Sequence, residues 1–346
     1  MKFTILILLL SINVFADNFK KETPQFYQSK MREFVIKLSK YAKGRNPNFI
    51  ILPNQGYDHV RADKNFVNYV DGILNESLFW TWKENSLKQI EYVPSTEHSD
   101  RKRKVFAIFK EKNKKILNID YTDNGEVENV ARRNESVSQN KKYGYVSFQG
   151  EIALEKIPQF NHTLNTTNID KLAQISNFLY VFLSSDLMKK VKGSDISSSK
   201  ENIIKRFAET DYDLIVTNCY FPGGKTGQFE WFNQDDLKRM KIKKNGAKRL
   251  IMCYVSVGSI NNSDYYWVDN QLDEAHLPAW VGFKHEFWKS YRVQYWSEIW
   301  EKIIIHNDEG KSRSFVDRIL DAGFDGIVLD EVAAYDDWIS EVNLRK

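Results

Sequence analysis

The run Asp321-Ala-Gly-Phe-Asp-Gly-Ile-Val-Leu-Asp330 holds one complete turn of an α/β fold. Residues 314–322 carry apolar side chains at helical spacing, and Gly323 stands where such a helix stops. Residues 326–329 then read as a short, uniformly apolar strand, the pattern of a strand buried on both faces. An acid, Asp330, sits at its carboxyl end. The same unit recurs along the chain. Met31 begins a helical pattern with Phe34, Leu38 and Tyr41 on one face, and Lys43-Gly44 precedes an apolar strand at 49–52. Asn245-Gly246 precedes another at 250–257, and residues 200–208 and 296–305 are again helical in pattern. Further strand patterns lie at 72–74, 116–121, 145–148, 178–183, 214–218 and 291–295. Alternating strands and helices imply a parallel sheet with helices outside it. Nine strand patterns fit a single (β/α)8 TIM barrel with one extra element, and residues 145–148 are the expected extra. A doubly wound open sheet is the alternative, but no strand is followed by G-x-G-x-x-G.

Of the 346 residues, 42% are hydrophobic and 28% charged, which excludes disordered, collagen-like and coiled-coil classes. Fifty Lys and Arg against 46 Asp and Glu leave a net +4, too mild and dispersed for nucleic-acid binding. The basic runs at 101–104 and 238–244 read as solvated helix faces or loops. Two Cys cannot make a disulfide scaffold; Cys219 and Cys253 could pair only if adjacent in the fold, and isolated buried thiols are the expected state. At the start, Lys2, an apolar run at 3–10 and the small residue Ala16 describe a secretory signal peptide over 1–16. A membrane anchor is the other reading, but the run is shorter than the roughly 20 residues that span a bilayer. Residues 17–346 are then expected as one secreted or periplasmic domain, monomeric and without stable membrane insertion.

In a barrel, chemistry gathers at the carboxyl ends of the strands. Those ends carry Asn54 and Gln55, Glu76, Asp120 and Tyr121, Asn218, residues 256–259, Tyr295-Trp296, and Asp330-Glu331. No His or Cys stands among them, and no His pair has ligand spacing, so a metal site or other cofactor is not expected. There is no G-x-S-x-G elbow and no phosphate loop. Carboxylates among amides and aromatics suit glycoside hydrolysis, in which one acid protonates the leaving oxygen and another attacks or stabilises the sugar cation. A single strand-end Asp is equally at home as a helix cap. Four acids together ask for more. Six of the nine Trp fall between Trp231 and Trp300. Trp267, Trp280, Trp296 and Trp338 are expected at the mouth, stacking on sugar faces, and Trp300 in the core.

Five segments follow one another in an order that resembles glycoside hydrolase family 114, the endo-α-1,4-polygalactosaminidase type of barrel. They are Lys248-Arg-Leu-Ile-Met-Cys-Tyr-Val-Ser-Val-Gly258, Asp264-Tyr-Tyr-Trp267, Leu277-Pro-Ala-Trp280, Val293-Gln-Tyr-Trp-Ser-Glu-Ile-Trp300 and the Asp321–Asp330 run. The resemblance extends from about Phe178 to Trp338. A second block is similar to the same family's C-terminal half but comes first here. It comprises Tyr41-Ala-Lys-Gly-Arg-Asn-Pro-Asn-Phe-Ile-Ile-Leu-Pro-Asn-Gln-Gly56, Val70-Asp-Gly-Ile-Leu-Asn-Glu-Ser-Leu-Phe79 and Lys115-Ile-Leu-Asn-Ile-Asp-Tyr121.

Circular permutation accounts for that order, with 17–165 resembling the C-terminal half and 166–346 the N-terminal half. Two unrelated domains with the same boundaries are the alternative, although each holds too few strands to close a barrel alone.

The resemblance implies a hydrolase acting on a galactosamine-rich polysaccharide. Asp330 and Glu76 are the implied catalytic couple: Asp330 ionised, and Glu76 protonated in apolar surroundings. Asp120, Tyr121, Asn54, Gln55, Tyr254, Asn218, Ser259, Trp296 and Glu331 are expected around the substrate. Asn218, Ser259 and Ser297 stand where the family commonly carries acids, and none of them can ionise. A degenerate barrel that binds glycans without cutting them is therefore the alternative function.

Overall fold

The computed structural model describes residues 22–122, 129–158, 164–183, 200–221, 229–285, 288–306 and 313–344. The signal segment expected at 1–16 lies outside the described residues. In chain order the strands are β1 (Ile50–Pro53), β2 (Gly72–Glu76), β3 (Trp80–Glu84), β4 (Ile90–Pro94) and β5 (Lys115–Tyr121). There follow β6 (Val146–Gly150), β7 (Leu179–Tyr180), β8 (Leu214–Thr217), β9 (Tyr220–Phe221) and β10 (Glu230–Trp231). The last five are β11 (Leu250–Ser256), β12 (Ser259–Ile260), β13 (Val281–His285), β14 (Ser290–Val293) and β15 (Gly326–Asp330).

The chain is mixed α/β, with a five-stranded parallel sheet in the order β1-β15-β11-β8-β7. A second parallel sheet has the order β2-β5-β6. The two meet along β1 and β2, where Asp71 N donates to Ile51 O at 2.9 Å and Gln55 N to Leu74 O at 2.7 Å, beside a parallel bridge between Asn54 and Leu74. Eight parallel strands thus follow one another as β7-β8-β11-β15-β1-β2-β5-β6. At the two ends of that run, the ring of Phe148 in β6 packs on Phe178, just before β7, at 5.9 Å. Helices intervene, among them Pro24–Arg45 before β1, Asp100–Glu111 before β5, Asn129–Lys142 before β6 and Phe315–Ala322 before β15.

The strands are apolar because both faces are covered. Ile51, Leu52, Ile73, Leu74, Leu117, Ile119, Ile215, Val216, Ile327 and Val328 are buried. Two strands open on glycine for a steric reason: a Cβ on Gly326 would stand 2.3 Å from Ile50 O, and one on Gly72 2.5 Å from Lys115 O. The first and last helices lie together, with Tyr27 stacked on Trp338 at 6.1 Å.

Three expectations need correction. Residues 145–148 are not the extra element, since β6 pairs parallel with β5. The extra strand is β14, antiparallel to β12 and β13, while β11 pairs directly with β15. Its alternate residues Ser290 and Arg292 are polar, the habit of an antiparallel strand rather than of one buried among apolar helices. Trp267, Trp280 and Trp338 are buried rather than presented to sugars, and Trp280 stacks on the core Trp300 at 5.6 Å. Cys219 and Cys253 are joined in a disulfide, because pairing of β8 with β11 brings their Cα atoms to 5.3 Å. The bridge closes a loop of sequence separation 34, so replacing both by Ala should cost about 2–4 kcal/mol. Denaturant unfolding, with and without reductant, reads that loss; a double variant as stable as the parent would show that the bridge contributes nothing.

Candidate functional site

Parallel register puts the carboxyl ends of the strands on one side, and six of the eight contribute a polar side chain there. Asn54 follows β1, Glu76 ends β2, Tyr121 ends β5, Tyr180 ends β7, Tyr254 lies in β11 and Asp330 ends β15. Asn54 sits on the strand between the two acids. Its Nδ2 donates to Glu76 Oε1 at 2.5 Å and to Asp330 Oδ1 at 2.9 Å. These bonds share one nitrogen, so the facing carboxylate oxygens are at most about 5.4 Å apart. Each acid also takes a phenol. Tyr121 Oη donates to Glu76 Oε2 at 2.5 Å, and Tyr254 Oη to Asp330 Oδ2 at 2.8 Å. Asn54 Oδ1 is buried with no hydrogen-bond partner and remains available as an acceptor.

Burial, followed by the charges of Glu76 and Glu331, raises the Asp330 carboxyl above its usual range, against the lowering by Tyr254 and the Glu331 N–H. The phenols of Tyr121, Tyr180 and Tyr254 are pushed well up, by burial first and then by the neighbouring carboxylates. All three stay protonated, and Tyr121 and Tyr254 donate to the acids. The surroundings differ from those expected: Glu76 meets two polar donors instead of an apolar pocket, and it is the Asp330 carboxyl that burial raises.

The backbone turns sharply beside each of these residues. Gln55, Ser77 and Glu331, immediately after Asn54, Glu76 and Asp330, have φ of 62°, 60° and 59°. A left-handed non-glycine residue costs roughly 1–2 kcal/mol, and such strain concentrates at functional sites.

The other expected residues are placed differently. Asp120 does not face the site. Tyr121 points to Glu76, so its neighbour on the strand points outward. There Asp120 is fully buried, accepting from Ser136 Oγ at 2.6 Å, Asn140 Nδ2 at 2.8 Å, Phe79 N at 2.9 Å and Trp80 N at 3.2 Å. Asn218 Oδ1 accepts from Leu183 N at 2.7 Å, tying two strand ends together. Ser259 lies in the antiparallel sheet, its Oγ 3.2 Å from Ser256 Oγ. Glu331 is ion-paired to the buried Arg292 and accepts from Ser256 Oγ at 2.9 Å. Trp296 is taken up by packing on Phe26, Tyr27, Tyr295 and Trp338. Gln55 lies beside the site through its left-handed backbone. Tyr180 carries no signal of its own in the sequence, where it is one aromatic within an apolar run.

Behind the site, His59 Nε2 donates to Val332 O at 2.7 Å while its Nδ1 is buried without a partner. Burial lowers its pKa from 6.5 to about 4. Its neutral form therefore contributes stability that is lost as pH falls from 6.5 towards 4, up to about 3 kcal/mol. Asp330, raised, changes stability in the opposite sense, so a comparison isolates His59. The stability gap between wild type and His59→Gln should shrink by about that amount from pH 7 to pH 4 in urea titrations; a constant gap would contradict it.

Among the described residues, no cluster of three or more His, Cys, Asp or Glu could hold a metal, and no helix is long and apolar enough to cross a membrane.

No family model matches the chain. The uncharacterized protein MJ1477 of Methanocaldococcus jannaschii is 27% identical over 175 residues, 50% of this chain and 41% of that protein. An uncharacterized protein of Thermotoga maritima is 30% identical over 135 residues, 39% of this chain and 36% of the relative. The chain thus spans less than half the length of these curated relatives. Among solved structures, the Bacillus cereus spore cortex-lytic enzyme SleL aligns over 86% of this chain and 74% of its own, at 9% identity and a TM-score of 0.36.

Proposed function

We propose that the chain is a secreted or periplasmic glycoside hydrolase, a circularly permuted (β/α)8 barrel that cuts an amino-sugar polymer with Asp330 and Glu76. The observation that carries this reading is the single amide of Asn54 holding two carboxylates together on three consecutive parallel strands. The run of eight parallel strands, with aromatic packing between β6 and β7, supports the barrel. The packing of the first helix on the last supports new termini opened in one surface connection.

Asp330 donates its proton to the glycosidic oxygen as that bond breaks. Glu76 attacks the anomeric carbon and forms an ester with the sugar. Asp330, now ionised, takes a proton from water as the water oxygen bonds to the same carbon and releases Glu76. The short separation of the acids fits this double displacement at about 5–5.5 Å better than the 6.5–9.5 Å of inverting enzymes. Tyr121 and Tyr254 stay on the acids throughout, fixing their orientation.

The test is release of reducing ends from a galactosamine-rich polymer, with the first-formed anomer followed by NMR. Retained configuration is expected. An inverted first product would overturn the double displacement, and no turnover on amino-sugar polymers would overturn the hydrolase reading. Binding without cleavage would then point to a glycan-binding barrel, a reading favoured by the non-ionisable Asn218 and Ser259.

A further inference from the structure

Three phenols meet the reaction centre, and only two of them hold an acid. Tyr121 donates to Glu76 and Tyr254 to Asp330, whereas Tyr180 Oη makes no hydrogen bond among the described residues. Burial, then the charges of Asp330 and Glu76, keep its proton in place. The hydroxyl is not sealed off. Asn54 Oδ1 is shut from solvent without a partner and Tyr180 Oη is not, so the 2% of Tyr180 left exposed includes Oη.

Strand register fixes the face it lies on. Tyr180 pairs with Val216 and Val216 with Met252, and Met252 lies two residues before Tyr254 on one face of β11. Tyr254 pairs in turn with Val328, two residues before Asp330. Tyr180 therefore shares the inward face of the acids. In the proposed barrel, its strand stands three places from that of Asp330, counted through β8 and β11. Counted through β6 and β5, it also stands three places from that of Glu76. β7 is thus opposite β1, and Tyr180 faces Asn54 and the two acids from the far wall. Phe182, next on the same face, packs edge-on against Tyr180 at 5.4 Å and Tyr254 at 4.7 Å, which holds this wall in place. An unpaired donor in so buried a place destabilises the free protein relative to phenylalanine. A pyranose held against the acids at its anomeric carbon turns other oxygens towards the far wall, where this donor stands.

We propose that Tyr180 is a further catalytic residue, its phenol donating to a hydroxyl oxygen of the sugar that Glu76 attacks. The inference rests on the glycosidase reading above and adds a substrate contact to it. Tyr121 and Tyr254 orient the acids, and Tyr180 orients the sugar. The bond tightens as the ring flattens towards the oxocarbenium-like transition state, so it acts on turnover more than on binding. No proton is transferred from Tyr180, which stays a neutral phenol throughout.

Tyr180→Phe removes the hydroxyl alone. With full-length protein and α-1,4-linked galactosamine oligomers, kcat should fall about a hundredfold while KM rises only a few-fold. The pH dependence of kcat/KM should keep its shape, because Tyr180 holds neither acid. Tyr254→Phe, which takes a donor from Asp330, should instead move the limb set by Asp330 to higher pH. Tyr180→Phe should also melt no lower than the parent, since the lost donor was unpaired, so lost turnover is not lost fold. A kcat within twofold of the parent, a loss carried wholly by KM, or a pH limb that moves as in Tyr254→Phe overturns the role of Tyr180 and leaves the hydrolase reading standing. Where the parent does not cleave these oligomers, the hydrolase reading falls by itself, and the sugar contact is read by calorimetry. Tyr180→Phe should then weaken their binding a few-fold; equal affinity, or no binding by the parent, overturns the contact.

Discussion

Glu76→Gln and Asp330→Asn should each lower turnover on a galactosamine polymer by roughly a thousandfold or more, with polymer affinity changed only a few-fold. In Glu76→Gln the new side chain can still accept from Tyr121, but its amide nitrogen would face that of Asn54. Asn54 must then turn its unpartnered Oδ1 towards position 76, and Asp330 loses a donor. The nucleophile disappears and its partner is disturbed. At Asp330 the consequence for stability has the opposite sign from that for activity. At pH 7, above its raised pKa, the folded state holds this carboxylate charged against Glu76 and Glu331. The neutral amide of Asp330→Asn removes that repulsion, so the variant should be more stable by about 1–2 kcal/mol after allowance for solvent. The advantage should fade as pH falls and Asp330 takes up its proton. A thermal melt that rises while turnover collapses separates loss of chemistry from loss of fold. Turnover that survives both substitutions would identify these as the wrong carboxylates.

How far the sequence reaches is visible in neighbouring residues. β15 and Asp330 are legible because a helix, a glycine stop, an apolar strand and an acid stand in close succession. Glu76 is legible in the same way, as an acid closing the apolar strand β2. Asp120 and Tyr121 both fall at the end of β5, but strand parity allows only one to face inward, and pattern alone does not say which. The structure turns Tyr121 to Glu76 and commits Asp120 to a helix. The role of Asn54 depends on β1 standing between β15 and β2, a long-range pairing that no local pattern encodes. Tyr180 is hidden in an apolar run because the same residue type serves core and site. The disulfide requires β8 and β11 to be adjacent, which sequence separation cannot supply, and β14 reads as a barrel strand because its length matches one.

The largest expected effect on stability lies at the opposite end of the strands, at Lys243. Lys243 and Asp213 are both fully buried, and Nζ donates to Asp213 Oδ1 at 2.6 Å, Asn165 O at 2.8 Å and Thr167 O at 3.3 Å. Asp213 Oδ2 in turn accepts from Ser176 N at 2.7 Å, Ser176 Oγ at 2.9 Å and Asn165 Nδ2 at 3.1 Å. The cluster fastens the segments leading into β7 and β8 to the turn before β11. Lys243→Met keeps most of the volume but leaves a buried carboxylate unpaired and two carbonyls without their donor. Breaking one side of a buried pair costs about 3–5 kcal/mol, a large part of a typical domain's stability. Adding Asp213→Asn should recover part of the loss, because the uncompensated charge is then gone. Activity per folded molecule should not change, since the acids stand at the other strand ends. Chemical denaturation of the two single variants and the double variant measures the coupling, and a single-variant loss below about 1 kcal/mol would mean that Asp213 is held by Ser176 and Asn165 alone.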